Sequence, residues 1–175
     1  MSARSKARKR ALDMLYVAEV RELPIGEVLS TETVRHLDNP ERASSWDYAR
    51  QIVTGVADWK SDIDRIIVDH AQGWTIARMP VIDRSILRAG VWEIRFNDEV
   101  PNPVAIAEAV ELAQSLSTAE SAGFVNGVLG AVAGEPRNAA ATAAGPGDPI
   151  ADGLVVAEGD DPEEDDDDMT AGTAR

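Results

Sequence analysis

The sequence predicts an all-α fold, and three observations carry that prediction. Apolar residues recur at three- and four-residue spacing along most of residues 11–134, strictly alternating runs are missing, and the stripes are separated by capping residues and prolines. About seven helices in two packed small bundles would bury these stripes, and a body of about 130 residues buries an ordinary core without cofactor or metal.

In chain order, residues 1–10 place Arg4, Lys6, Arg8, Lys9 and Arg10 ahead of the first stripe, Ala11, Leu12, Leu15 and Ala18, which runs to about Arg21. These ten residues read as a basic flexible arm. It is either a solvated segment or a phosphate clamp whose cations displace counterions from a nucleic-acid backbone. Pro24 opens a second helix with Ile25, Val28, Leu29, Val34 and Leu37, ending near Asn39 and Pro40. Ser45 caps a third, with Trp46, Ala49, Val53 and Val56 on one face and Ile52 alongside. Ser61, Asp62 and Asp64 start a fourth, in which acidic side chains suit the positive end of the helix dipole; its stripe is Ile63, Ile66, Ile67 and His70. Gly73 and residues 74–79 form a link.

Pro80 opens the fifth helix, because its missing N–H has no helical partner to lose. The buried face is Ile82, Ile86, Val91 and Ile94 beside Leu87 and Gly90, and Asn97, Asp98 and Pro101 close it. Asn102 and Pro103 begin the sixth, with Ile106, Ala109, Val110, Ala113 and Leu116. Ser117 and Glu120 have the spacing of a capping box before Phe124, Val125, Val128, Leu129 and Val132, and Gly134 with Pro136 ends this seventh helix. Gly127 inside it implies close packing by a neighbour, since glycine costs a helix about 1 kcal/mol relative to alanine.

Charge divides the chain unevenly. Residues 1–134 hold 19 acidic and 15 basic side chains, net −4; residues 135–175 hold 12 acidic and 2 basic, net −10. The second segment, rich in alanine, glycine, proline and aspartate, reads as a disordered acidic tail. The overall acidity therefore says little about the folded surface and does not exclude nucleic acid. The chain has no cysteine, which removes disulfides and thiolate metal sites. It also lacks a signal-peptide core and any apolar run near the roughly 18 residues of a membrane span. A cytoplasmic location and no membrane partner follow as expectations. Catalysis has no visible basis: His36 and His70 stand alone, and no phosphate-binding loop or dinucleotide fingerprint is present. The chain reads as a binding protein, not an enzyme.

Three ordered motifs, IDRSILRAGVWEI at 82–94, PVAIAEAVELA at 103–113 and FVNGVL at 124–129, resemble the NusB family of bacterial transcription antitermination factors, and the likeness extends over most of residues 5–133. The resemblance implies the two-bundle fold and an arginine-rich amino terminus that binds the single-stranded boxA element of nascent ribosomal RNA. On matching positions it implies that Tyr16 stacks on an unpaired base, against the alternative of a half-buried core tyrosine, and that Phe124 presents a second ring, where periodicity alone would place it in the core. Glu120 either lies near RNA or caps its helix. Asn126 either contacts RNA or ties down its own helix. The ribosomal protein NusE is expected on the second bundle, with Asp83, Arg84 and Arg88 as partner-facing residues, although Arg88 also suits an ion pair across the bundles. Through these contacts the chain would tether the transcript to the RNA polymerase elongation complex with other Nus factors.

Two other readings stand beside this one. NusB-like domains occur fused to RNA cytosine methyltransferases, but such an enzyme needs a further nucleotide-binding domain, which the tail does not supply. A helical adaptor or homodimer without specific RNA binding is the alternative.

Overall fold

The stripe beginning at Ile82 belongs to a helix buried on nearly every side, and the rest of the protein is arranged about it. The computed structural model describes residues 2–37 and 43–136. Among the described residues there is no strand, and there are seven α-helices: α1 (Ala3–Val20), α2 (Ile25–Leu37), α3 (Ala43–Asp58), α4 (Lys60–His70), α5 (Val81–Phe96), α6 (Asn102–Leu116) and α7 (Ala119–Gly134). A short 3-10 turn, Ile76–Arg78, lies between α4 and α5. Helices α1, α2 and α3 form one bundle, α4 to α7 the other, and α5 packs against members of both. This is the expected all-α, two-bundle architecture.

The core is continuous across the two bundles. Leu12 and Leu15 of α1, Ile52 and Val56 of α3, Ile63 and Ile67 of α4, Ile86, Leu87 and Ile94 of α5, and Leu129 of α7 are all essentially inaccessible. Each such side chain contributes about 1.5–3 kcal/mol of hydrophobic stabilisation.

Eleven of the sixteen residues of α5 are buried, four of them charged. Buried charge is tolerated only with partners, and each of the four has one on another element. Asp83 accepts from Ser117 and Ser121, at 2.6 and 2.8 Å, where α6 gives way to α7. Arg88 reaches Asp64 of α4 and Glu19 of α1. Glu93 holds Arg8 of α1 and Tyr48 of α3, and Arg95 pairs with Glu135 just beyond α7. Apolar packing gathers the helices; these polar links fix their register on α5.

Two glycines mark close helix crossings. A Cβ at Gly55 of α3 would lie 1.8 Å from Trp92 Nε1, and one at Gly90 of α5 would lie 2.7 Å from Leu129 Cδ1. Gly127 differs from expectation, because a Cβ there would meet nothing within 4 Å. Internal packing does not explain the cost of about 1 kcal/mol that this glycine imposes on α7.

Other expectations are also corrected. Residues 3–10 are not a separate flexible arm but the first turns of α1, whose first free N–H groups are met by Ser2: its side chain accepts from Ser5 N at 3.0 Å. The cap of α7 is Thr118, accepting from Ser121 N, while Ser117 turns away to Asp83. Ser45 lies inside α3, and Ser61 inside α4. Val34, Leu37 and Leu116, assigned to buried stripes, are exposed at 62%, 75% and 39%. The acidic tail from residue 137 onward, and the break near Asn39 and Pro40, lie outside the described residues. No helix among the described residues is long and apolar enough to cross a membrane.

Candidate nucleic-acid interface

The basic residues of α1 divide by the face they occupy. Arg8 points inward and is 4% exposed; its Nε donates to both oxygens of Glu93 at 3.0 Å, and Glu108 lies 3.5 Å from another guanidinium nitrogen. Burial works against the Arg8 charge, but the Glu93 hydrogen bonds and field outweigh it and hold the pKa above its ordinary value. Tyr48 donates to the same carboxylate, and burial together with that charge pushes its phenol far above the usual range. Arg8 is thus a structural residue, not a free clamp.

The other four cations face outward. Arg4 lies 3.4 Å from Glu99, with both side chains more than half exposed, and its guanidinium sits 4.9 Å from the Tyr48 ring centroid. Lys9 pairs with Asp13 at 3.3 Å on the surface, and Arg10 covers the Trp46 ring at 5.0 Å. Lys6 is exposed and makes none of the ion pairs found among the described residues. Solvent-exposed pairs of this kind are worth about 0–1 kcal/mol, so a phosphate can replace their carboxylates at little cost.

Tyr16 is 41% exposed. It follows Lys9 by seven residues, about two turns, so the ring and the ammonium share a face of α1. Ser5, on that face too, donates to Glu108 at 2.8 Å and so turns it toward α6. Phe124 is half-buried on α7, and its ring neighbour is Trp74 at 5.9 Å with a 50° tilt, not Tyr16. Glu120 and Asn126 are exposed on α7; Glu120 lies in the first turn, where a carboxylate complements the dipole.

The three residues expected to face a protein partner sit lower. Asp83 and Arg88 are each 3% exposed. Arg88 donates to Asp64 at 2.6 and 3.0 Å and also binds Glu19, so of the two roles open to it the structure gives the ion pair across the bundles. Arg84 shares Glu19 and donates to the Met79 carbonyl at 3.1 Å, tying the link to α5. Burial pushes the Glu19 carboxyl up, but Arg88 and Arg84 outweigh it and hold it below the ordinary glutamate range. With Asp83 and Arg88 sealed, their polar atoms serve the fold and leave no surface for a partner.

Sequence reasoning missed Trp74 and Arg78, treated only as link. Trp74 is 47% exposed, beside Phe124, with the Arg78 guanidinium 5.8 Å from its ring centroid. An aromatic and an arginine four residues apart, just after Gly73, were the available signal.

Comparison with known proteins agrees with this geometry. The NusB family model matches residues 5–134. The chain is 57% identical over 139 residues to the transcription antitermination protein NusB of Leifsonia xyli subsp. xyli, covering 79% of this chain and 96% of the relative. It is 54% identical over 133 residues to the protein of that name from Clavibacter sepedonicus, covering 76% and 97%. Among solved structures, T. maritima NusB superposes with a TM-score of 0.65 at 28% identity, covering 75% of this chain and 91% of that one. A structure of the antitermination factors NusB and NusE in complex with dsRNA matches with a TM-score of 0.65 at 28% identity, covering 76% and 97%. The chain belongs to the NusB family of transcription antitermination factors.

Proposed function

We propose that the chain grips a boxA-type single-stranded segment of nascent ribosomal RNA, pairs with NusE, and holds the transcript at the RNA polymerase elongation complex with other Nus factors. The observation that carries this reading is the outer side of α1. There Arg4, Lys6 and Lys9 are open to phosphates, Arg10 lies over the Trp46 ring beside them, and Tyr16 offers a half-exposed ring on the face of Lys9. Phe124 and Glu120, one turn apart on α7, add to the surface, whereas Asn126 points away from Phe124 on the same helix and serves its own helix. A family member solved with NusE and RNA supports both partners. NusE docks on the second bundle, where Asp83, Arg84 and Arg88 set the frame from beneath the contact surface. The chain performs no reaction; it raises the effective concentration of transcript at the polymerase, so neither weak contact needs to be strong alone.

A fluorescence titration of the full chain against labelled boxA-type RNA over a salt series tests the RNA half. With Arg8 buried, Arg4, Lys6 and Lys9 contact about three phosphates, and the log–log slope is expected to reach about −2.1, at about −0.7 per phosphate on single strands. Replacing Lys6 and Lys9 by alanine lowers the slope by about 1.4. A flat salt response overturns the reading.

A further inference from the structure

Beside Phe124 lies a groove of about 320 Å³, lined by His70, Trp74, Gly123, Phe124, Gly127 and Val128. Its wall is made by the turn after α4, where Gln72 and Gly73 adopt φ of +47° and +87° and swing the following residue out over α7. That residue is Trp74, a large apolar ring left half in water, which hydrophobic burial alone disfavours. Phe124 braces one side of the ring, and the Arg78 guanidinium stands over it. The groove is open toward α7 because Gly123 and Gly127 have no side chain, and at neither does an internal neighbour require that absence.

We propose that this groove is a base-stacking subsite, in which one unpaired nucleobase of the RNA lies against the Trp74 ring over the glycine floor with its phosphate toward Arg78. The chemistry matches a nucleotide in three respects. An exposed indole face stacks on any base. A guanidinium beside it meets the phosphodiester. A floor of glycines lets a flat ring approach the backbone, the usual reason for tolerating glycine where the chain conformation does not need it. The inference rests on the RNA-binding reading above and names the chemistry by which one nucleotide of that RNA is held.

The test uses the full chain and a boxA-type RNA carrying 2-aminopurine at successive positions. Trp74→Ala is expected to weaken binding about tenfold without changing the salt slope, because stacking releases no counterions. Trp74→Phe recovers most of the loss. One 2-aminopurine position is quenched by the wild-type protein and not by Trp74→Ala. Gly127→Ala raises the melting temperature yet weakens RNA binding several-fold, a combination that a structural glycine does not give. Wild-type affinity in both Trp74→Ala and Gly127→Ala overturns the subsite while leaving the RNA reading intact if the Lys6 and Lys9 variant still loses slope. Loss of NusE binding with RNA affinity unchanged also overturns it, by giving the groove to a protein. Absence of salt-dependent RNA binding by the wild-type chain removes the RNA reading itself.

Discussion

Arg88 has two carboxylates within hydrogen-bond reach, from α1 and α4, and is shielded from water. Arg88→Ala leaves Glu19 with Arg84 alone and Asp64 with Lys60 alone, and is expected to lower stability by about 1–3 kcal/mol, read from the urea midpoint at unchanged slope. Arg88→Lys recovers only part, since one ammonium lacks the planar fork that spans both acids. Glu19 adds a pH dependence of definite sign. Its folded pKa lies below the unfolded value, so its contribution is fully present above about pH 4.3 and is lost as the pH falls through the folded value. Glu19→Gln is therefore less stable at pH 7 and has a flatter acid limb; a profile parallel to wild type contradicts the assignment. At this scale the sequence was only partly legible. Spacing placed Arg88 on the polar side of its helix, but polarity does not reveal that Glu19, 69 residues away, converges on it. Arg8 was misread for the same reason: within a run of cations nothing local marks the one that turns inward to Glu93.

Helices α5, α6 and α7 were legible almost to the residue, because their stripes are regular and prolines and glycines punctuate them. The start of α1 was not, since five cations in ten residues resemble a solvated arm. Yet Arg, Lys and Ala are good helix formers, and Ser2 supplies the cap, so local preference and structure agree once the cap is recognised. The glycines separate by element in a way that periodicity cannot show. At Gly55, where α3 crosses α5, a methyl meets the Trp92 indole, itself only 8% exposed and unable to retreat. Gly55→Ala is expected to cost at least about 1–3 kcal/mol. On α7, Gly127→Ala meets open space and should gain about 0.5–1 kcal/mol. Calorimetry on the two variants should give melting temperatures on opposite sides of wild type, and a fall in both would contradict the openness of the α7 face.

Across the whole molecule, charge and connectivity meet at one end. Arg8 binds Glu93 and Arg95 binds Glu135, so the amino-terminal half of α1 and the point where the chain leaves α7 lie at the same end of α5, on roughly opposite sides of it. Residues 137–175 carry eleven acidic and two basic side chains, which makes −9 of the total −14. That charge follows Pro136 in the chain, and the last described residues lie at the same end of α5 as the cations assigned to RNA. A polyanion approaching this end meets a repulsive field that the body alone, at −5 for residues 1–136, presents far more weakly. Truncation after Pro136 keeps Glu135 on Arg95 and His70 and so should leave the melting temperature unchanged. Its association rate with RNA should rise about tenfold at low salt, where fields extend far, and the difference should vanish near 1 M salt, where the screening length is about 3 Å. Dissociation should change little, because a field that acts at a distance alters encounter more than residence. Stopped-flow measurements on the full and truncated chains distinguish the cases. Equal association rates at low salt dismiss the field, and a gain that persists at 1 M salt indicates a direct contact between the tail and the RNA surface instead.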